Sequence, residues 1–122
     1  MPPISVDKHK VLQILLNLIS NAKYACAASK SKARIITLRI FPTGSDRLSL
    51  QVVDNGIGIP SENLPRIFQT GFTTRKTGHG LGLHNGSLVA HELGGSLSVL
   101  SDGPGRGSTF TLELPCHPKE KK

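Results

Sequence analysis

The 122-residue sequence predicts an α+β fold, a two-layer sandwich in which helices cover one face of a sheet. Three observations carry this. Two segments repeat apolar residues at the three-and-four spacing of an amphipathic helix, and four shorter ones alternate with the period of a half-buried strand. The strands also come as two consecutive pairs, each joined by a turn, and do not alternate singly with helices as a parallel sheet requires. A chain of this length forms one domain and buries roughly two-thirds of the surface its unfolded form exposes.

Ser5 and Asp7 are cap-type residues ahead of Leu12, Leu15, Leu16, Ile19 and Ala22, so the first helix is expected from about Asp7 to Ala28. Ala33 to Phe41 follows, with Ile36, Leu38 and Ile40 alternating, then a turn at Pro42-Thr43-Gly44-Ser45. The next strand, Arg47 to Val53, sets Leu48, Leu50 and Val52 on one face and ends at Asp54. Between Pro60 and Gly82 one short apolar element, Leu64 to Phe68, stands in a stretch rich in Gly, Thr and basic residues, which reads as a loop able to act as a lid. Leu81 to Leu93 is helical in pattern and stops at Gly94-Gly95; Ser96 to Leu100 and Ser108 to Leu114 form the last strand pair around Gly103-Pro104-Gly105.

With 37% hydrophobic residues, no apolar run near twenty and no signal-peptide pattern, neither a membrane span nor direct membrane contact is expected, and the default location is cytoplasmic. Cys26, in a helix, and Cys116, in a Pro-flanked tail, are expected as free thiols. A net charge of +7 invites nucleic acid, yet there is no stacking motif and no zinc spacing beside the lysines, so a polyanionic ligand or an acidic partner is expected instead. Residues 119–122 read as a disordered, solvated tail beyond a domain of residues 1–118.

The chemistry begins at Asp54-Asn55-Gly56-Ile57-Gly58-Ile59-Pro60. A strand delivers a carboxylate to the sheet end, and two alternate glycines leave room for a flat ligand. A carboxylate there accepts from the exocyclic amine of adenine and repels the carbonyl of guanine, although Asp-Asn-Gly is also a common turn. Asn17 and Asn21, four apart, share one helical face; they suit either a Mg²⁺ ion bridged to phosphate or a polar stripe. Gly78-His79-Gly80-Leu81-Gly82-Leu83 places a glycine-rich turn at a helix N-terminus, where free amides attract phosphate. It is neither a Walker loop nor a dinucleotide fingerprint.

Taken together these segments resemble the boxes of the Bergerat-fold ATPases, the superfamily of gyrase, mismatch-repair and chaperone ATPases and sensor histidine kinases. Asn17 to Ala22 is similar to the asparagine box, Asp54 to Pro60 to the first glycine box and Ile67 to Arg75 to the phenylalanine box. Gly78 to His84 resembles the second glycine box and Gly105 to Phe110 the third, and the lid sequence is most similar to the catalytic domain of bacterial two-component sensor kinases. The resemblance implies a mixed sheet layered with helices, ATP and Mg²⁺ as cofactors, and Asn21 as the metal ligand. It implies that Asp54 bonds the adenine amine, that Gly56, Gly58, Ile59, Phe68 and Ser108 line or support the base pocket, and that Thr74, Gly78, His79, Gly80, Leu81, Gly82 and Leu83 lie along the phosphates. The implied catalytic positions are Asn17, Arg75 and Lys76; Tyr24 departs from the Lys or Asp frequent in sensor kinases.

In hydrolytic relatives the position of Asn17 resembles a Glu general base, whereas an amide takes up no proton at ordinary pH. Phosphoryl transfer, which needs mainly positioning and charge neutralisation, is therefore implied over rapid hydrolysis. The acceptor would be a histidine on a helical dimerisation domain absent from this chain, with a response regulator downstream. His91-Glu92-Leu93 only superficially resembles an acceptor motif, since Gly94-Gly95 follows at once. The competing readings are an ATP-hydrolysing conformational clamp and a degenerate module that only binds nucleotide or protein. The chain is thus expected to be an excised catalytic domain, in some parents the cytoplasmic part of a membrane-bound sensor.

Overall fold

A computed structural model describes residues 8–28, 34–44, 46–68 and 82–115. Helix α1 spans Lys8–Ala28, strands β1 and β2 span Ile36–Pro42 and Arg47–Asp54, and a single 3₁₀ turn occupies Leu64–Arg66. Helix α2 spans Gly82–Glu92, followed by β3 at Ser96–Leu100 and β4 at Ser108–Pro115. The expected elements are present in the expected order.

The period-two pattern of β2 becomes a physical face. Leu48, Leu50 and Val52 are buried on the helix side, and each is matched across the ladder by an apolar residue of β4: Leu114, Leu112 and Phe110. Ile14, Leu18 and Ala22 of α1, at the spacing of one helical stripe, close over them, with Ala90 of α2, Leu97 of β3 and Ile67 completing the core. Each fully buried Leu or Ile contributes about 1.5–3 kcal/mol relative to exposure. The opposite face carries polar cross-strand pairs: Arg47 Nε reaches Glu113 Oε1 at 2.6 Å and Gln51 Nε2 donates to Thr111 Oγ1 at 3.2 Å. Both groups of the ion pair are more than a third exposed, so it adds about 0–1 kcal/mol.

Strand order is β1-β2-β4-β3, and every neighbouring pair is antiparallel. The mixed sheet implied by the resemblance is therefore an antiparallel one among the described residues. Both hairpins reverse the chain, and the long connection from β2 through α2 brings β3 in beside β4 and not beside β2. Two further differences concern β1. It starts at Ile36, later than expected, and its apolar alternation is not a buried one: Leu38 and Ile40 are 57% and 60% exposed. They pair with Val52 and Leu50 on the helix side, but α1 lies chiefly over β2 and leaves the edge strand uncovered.

Candidate functional site

Asp54 is the last residue of β2 and only 5% exposed. Its Oδ1 accepts from the Gly56 amide at 2.8 Å and its Oδ2 from the Ser108 hydroxyl at 2.8 Å. Ser108 is placed by register, being the residue of β4 opposite Asp54. Among the described residues no cation pairs with this carboxylate; its partners are neutral donors. A buried carboxylate so held is an expensive group for a core to carry, and it retains lone pairs for a further donor.

The loop after Asp54 is stitched in place from three sides. The Ile57 amide donates to the Ala25 carbonyl of α1 at 3.1 Å, while the Gly105 and Gly107 amides donate to the carbonyls of Ile57 and Gly56 at 2.7 and 3.2 Å. The Asn55 side chain accepts from the Ile35 amide at 2.9 Å. The Ser101 hydroxyl accepts from the Ile59 amide at 3.0 Å and donates to the Gly107 carbonyl at 2.7 Å, tying the loop to the turn before β4. The glycines at 56 and 58 have reasons within the protein as well as toward a ligand. A Cβ at Gly56 would stand 2.5 Å from the Ala25 carbonyl carbon, and Gly58 combines a φ of +73° with a Cβ direction 2.1 Å from the Gly103 carbonyl oxygen.

Asn17 and Asn21 are half-buried and share a stripe of α1 with Lys10. Lys10 Nζ lies 3.4 Å from Glu92 Oε2 of α2, so this stripe is the flank turned toward α2. Phe68 is half-buried and meets Phe110 edge to face, centroids 6.3 Å apart. Ile59 and Leu83 are half-buried against the core, and Gly82 is the first residue of α2. Thr74, Arg75, Lys76, Gly78, His79, Gly80 and Leu81 lie outside the described residues, as does Cys116, while Cys26 is a free, buried thiol.

Sequence reasoning missed Ser101, the Asn55 side chain and His84. His84 Nδ1, on the first turn of α2, lies 3.0 Å from the Phe68 carbonyl oxygen and joins that helix to the segment after the 3₁₀ turn. Ser101 opens a Ser-Asp-Gly turn, a signal in the sequence, but its partners are set by tertiary contacts.

Among the described residues no helix is long and apolar enough to cross a membrane. Comparison with known proteins gives a family match to histidine kinase-, DNA gyrase B-, and HSP90-like ATPases over residues 6–118. The sensor protein FixL of Bradyrhizobium diazoefficiens is 34% identical over 92% of this chain and 22% of its own length. The signal transduction histidine-protein kinase AtoS of Escherichia coli K12 is 36% identical over 98% of this chain and 19% of its own. The chain thus spans about a fifth of these curated relatives. Among solved structures, full-length ShkA in complex with AMPPNP superposes with a TM-score of 0.83 at 28% identity, covering 99% of this chain and 24% of that one. The mycobacterial sensor histidine kinase MprB gives 0.79 at 26% identity, covering 96% and 78%. The fold that holds the Asp54 carboxylate at a sheet end, and the sequence that builds it, place this chain in the histidine kinase-, DNA gyrase B- and HSP90-like ATPase family.

Proposed function

We propose that this chain is the nucleotide-binding catalytic part of a sensor histidine kinase. It holds Mg-ATP and supplies the γ-phosphoryl group to a histidine on a helical dimerisation domain elsewhere in the parent protein, with a response regulator downstream and a cytoplasmic site of action. Residues 1–118 form this domain and 119–122 its tail.

The observation that carries the reading is the buried Asp54, held by two neutral donors and with acceptor capacity to spare. An adenine amine is the complementary donor, and Gly56, Gly58, Ile59, Phe68 and Ser108 form or support its surroundings. Kinship with FixL and AtoS, and the AMPPNP held by ShkA, support nucleotide binding and the kinase assignment.

Mg²⁺ keeps several waters and joins a protein to phosphate through one or two side chains, so on this reading it arrives with the phosphates. Asn21, half-buried on the α2-facing flank of α1, offers the hard neutral oxygen such an ion accepts. When bound, the ion neutralises charge on the phosphates. Gly82 and Leu83 begin α2, whose free amides favour an anion at its N-terminus, with Gly78, His79, Gly80 and Leu81 leading into it. The resemblance assigns Thr74, Arg75 and Lys76 to the γ-phosphate, and Asn17 offers no general base to water.

Calorimetry with Mg²⁺ and a non-hydrolysable ATP analogue tests binding, and its absence would leave the degenerate module standing. Incubation with labelled ATP and the parent's helical domain tests transfer. An acid-labile, base-stable phosphoprotein is expected, whereas steady phosphate release by the isolated domain would favour the clamp.

A further inference from the structure

Ser101, the residue after β3, grips both chains that leave the Asp54–Ser108 rung. Its hydroxyl accepts from the amide of Ile59, on the loop that follows Asp54, at 3.0 Å and donates to the carbonyl of Gly107, the residue before Ser108, at 2.7 Å. The Gly103 amide approaches the same oxygen from the turn between them, at 3.4 Å. A hydroxyl serves all of these because it donates once and accepts twice; a carboxylate could only accept, and a methyl group could do neither.

The two segments that Ser101 joins lie backbone against backbone. A Cβ at Gly58 would collide with the Gly103 carbonyl oxygen, and one at Gly107 with the Asp54 carbonyl oxygen. Gly58 has a φ of +73°, and a peptide that follows a left-handed glycine reorients at little steric cost. The plane of the Gly58–Ile59 peptide is therefore set by the partner its N–H finds, which is Ser101. Because that peptide is trans and planar, capture of the N–H also sends the Gly58 carbonyl to the opposite side, with the Ile59 side chain half-buried against the core.

We infer that Ser101 is a positioning residue for the nucleotide base. It acts through Gly58 and Ile59 on one side and through Gly107 and Ser108 on the other, so that the wall of the base site and the Asp54 carboxylate stand in place before a ligand arrives. The inference rests on the proposed nucleotide reading and adds to it a residue from outside the glycine boxes.

The test is calorimetry on the 122-residue domain with ADP and with a non-hydrolysable ATP analogue, well below the melting temperature of each variant. Ser101→Ala should weaken both ligands by the same factor, about tenfold. Ser101→Thr, which keeps the hydroxyl, should bind both within about twofold of the unsubstituted domain. The gain that Mg²⁺ adds to the analogue should be the same in Ser101→Ala, since the metal end of the site does not pass through this hydroxyl. A contribution to stability alone would lower the melting temperature of Ser101→Ala and leave these affinities where they were. Amide exchange needs no variant: the Ile59 amide of the unsubstituted domain should be protected before any nucleotide is added. The inference is overturned by an Ile59 amide that exchanges freely in the nucleotide-free domain, by unchanged affinity in Ser101→Ala, by a loss that Ser101→Thr does not recover, or by a loss confined to the Mg²⁺-dependent gain. If the unsubstituted domain binds neither nucleotide, the kinase reading falls and the inference with it; where it binds both, any of these outcomes sinks the inference alone.

Discussion

Ser108 donates its hydroxyl to Asp54 across the β2–β4 ladder, Oγ to Oδ2 at 2.8 Å, so a residue 54 positions away fixes the rotamer of the carboxylate. The Gly56 amide fixes the other oxygen. The side chain is therefore oriented before any ligand arrives. Asp54→Ala should cost about 1.5–3 kcal/mol of nucleotide affinity, while Ser108→Ala, which frees the carboxylate without removing it, should cost about 1 kcal/mol. Calorimetry with an adenine nucleotide analogue measures both. Equal affinity in Asp54→Ala and the parent domain would refute the adenine assignment.

Gly56 allows the first glycine loop to lie on the end of α1. Gly56→Ala sets a Cβ within 2.5 Å of the Ala25 carbonyl carbon, which is backbone and cannot rotate away. The loop must lift and lose the Ile57 to Ala25 hydrogen bond. Overpacking of this kind costs about 1–3 kcal/mol. A melting temperature lowered by several degrees, together with weaker nucleotide binding, is the expected pair of results.

His84 offers a separable test of positioning. Asn places its amide nitrogen close to the Nδ1 position, so His84→Asn should keep the bond to the Phe68 carbonyl while His84→Leu leaves that oxygen without its donor. Nucleotide affinity should fall by about 1 kcal/mol in the Leu variant and recover in the Asn variant. A loss of equal size in both would point to the ring's packing and not to its hydrogen bond.

Asn21 should matter only when metal is present. Titrations with and without EDTA are expected to show a Mg²⁺-dependent gain in affinity that Asn21→Ala loses and Asn21→Asp keeps, because a carboxylate oxygen is also a hard ligand. If the gain survives in Asn21→Ala, the ion is held by the phosphates alone.

The helix side of β2 was legible because alternation reports which residues share a face, and Leu48, Leu50, Val52 and Asp54 all lie where that pattern sets them; the pairing of β2 with β4 was not, since alternation leaves both the partner strand and the register open. The same reading of Ile36, Leu38 and Ile40 found the face but not its exposure. Periodicity says which side a residue takes and nothing about how far the neighbouring helix extends over it. Asp54 was legible as a carboxylate at a strand end, whereas Ser101 and Asn55 were not, since their hydrogen bonds join segments far apart in the chain. For the phosphate end of the site, residues 69–81, the sequence motifs remain the source of the assignment.

The Asp54–Ser108 pair is also the terminal rung of the β2–β4 ladder. Sheet ends fray first, so the free protein should open and reclose at this rung more readily than at Val52–Phe110. On the proposed reading a bound base would close it, and ligand binding feeds directly into unfolding free energy: at a hundredfold excess over Kd the gain is about 2.7 kcal/mol. Occupancy of the site thereby becomes a thermometer reading, and amide exchange at Ser108 and Thr109 a local gauge of it.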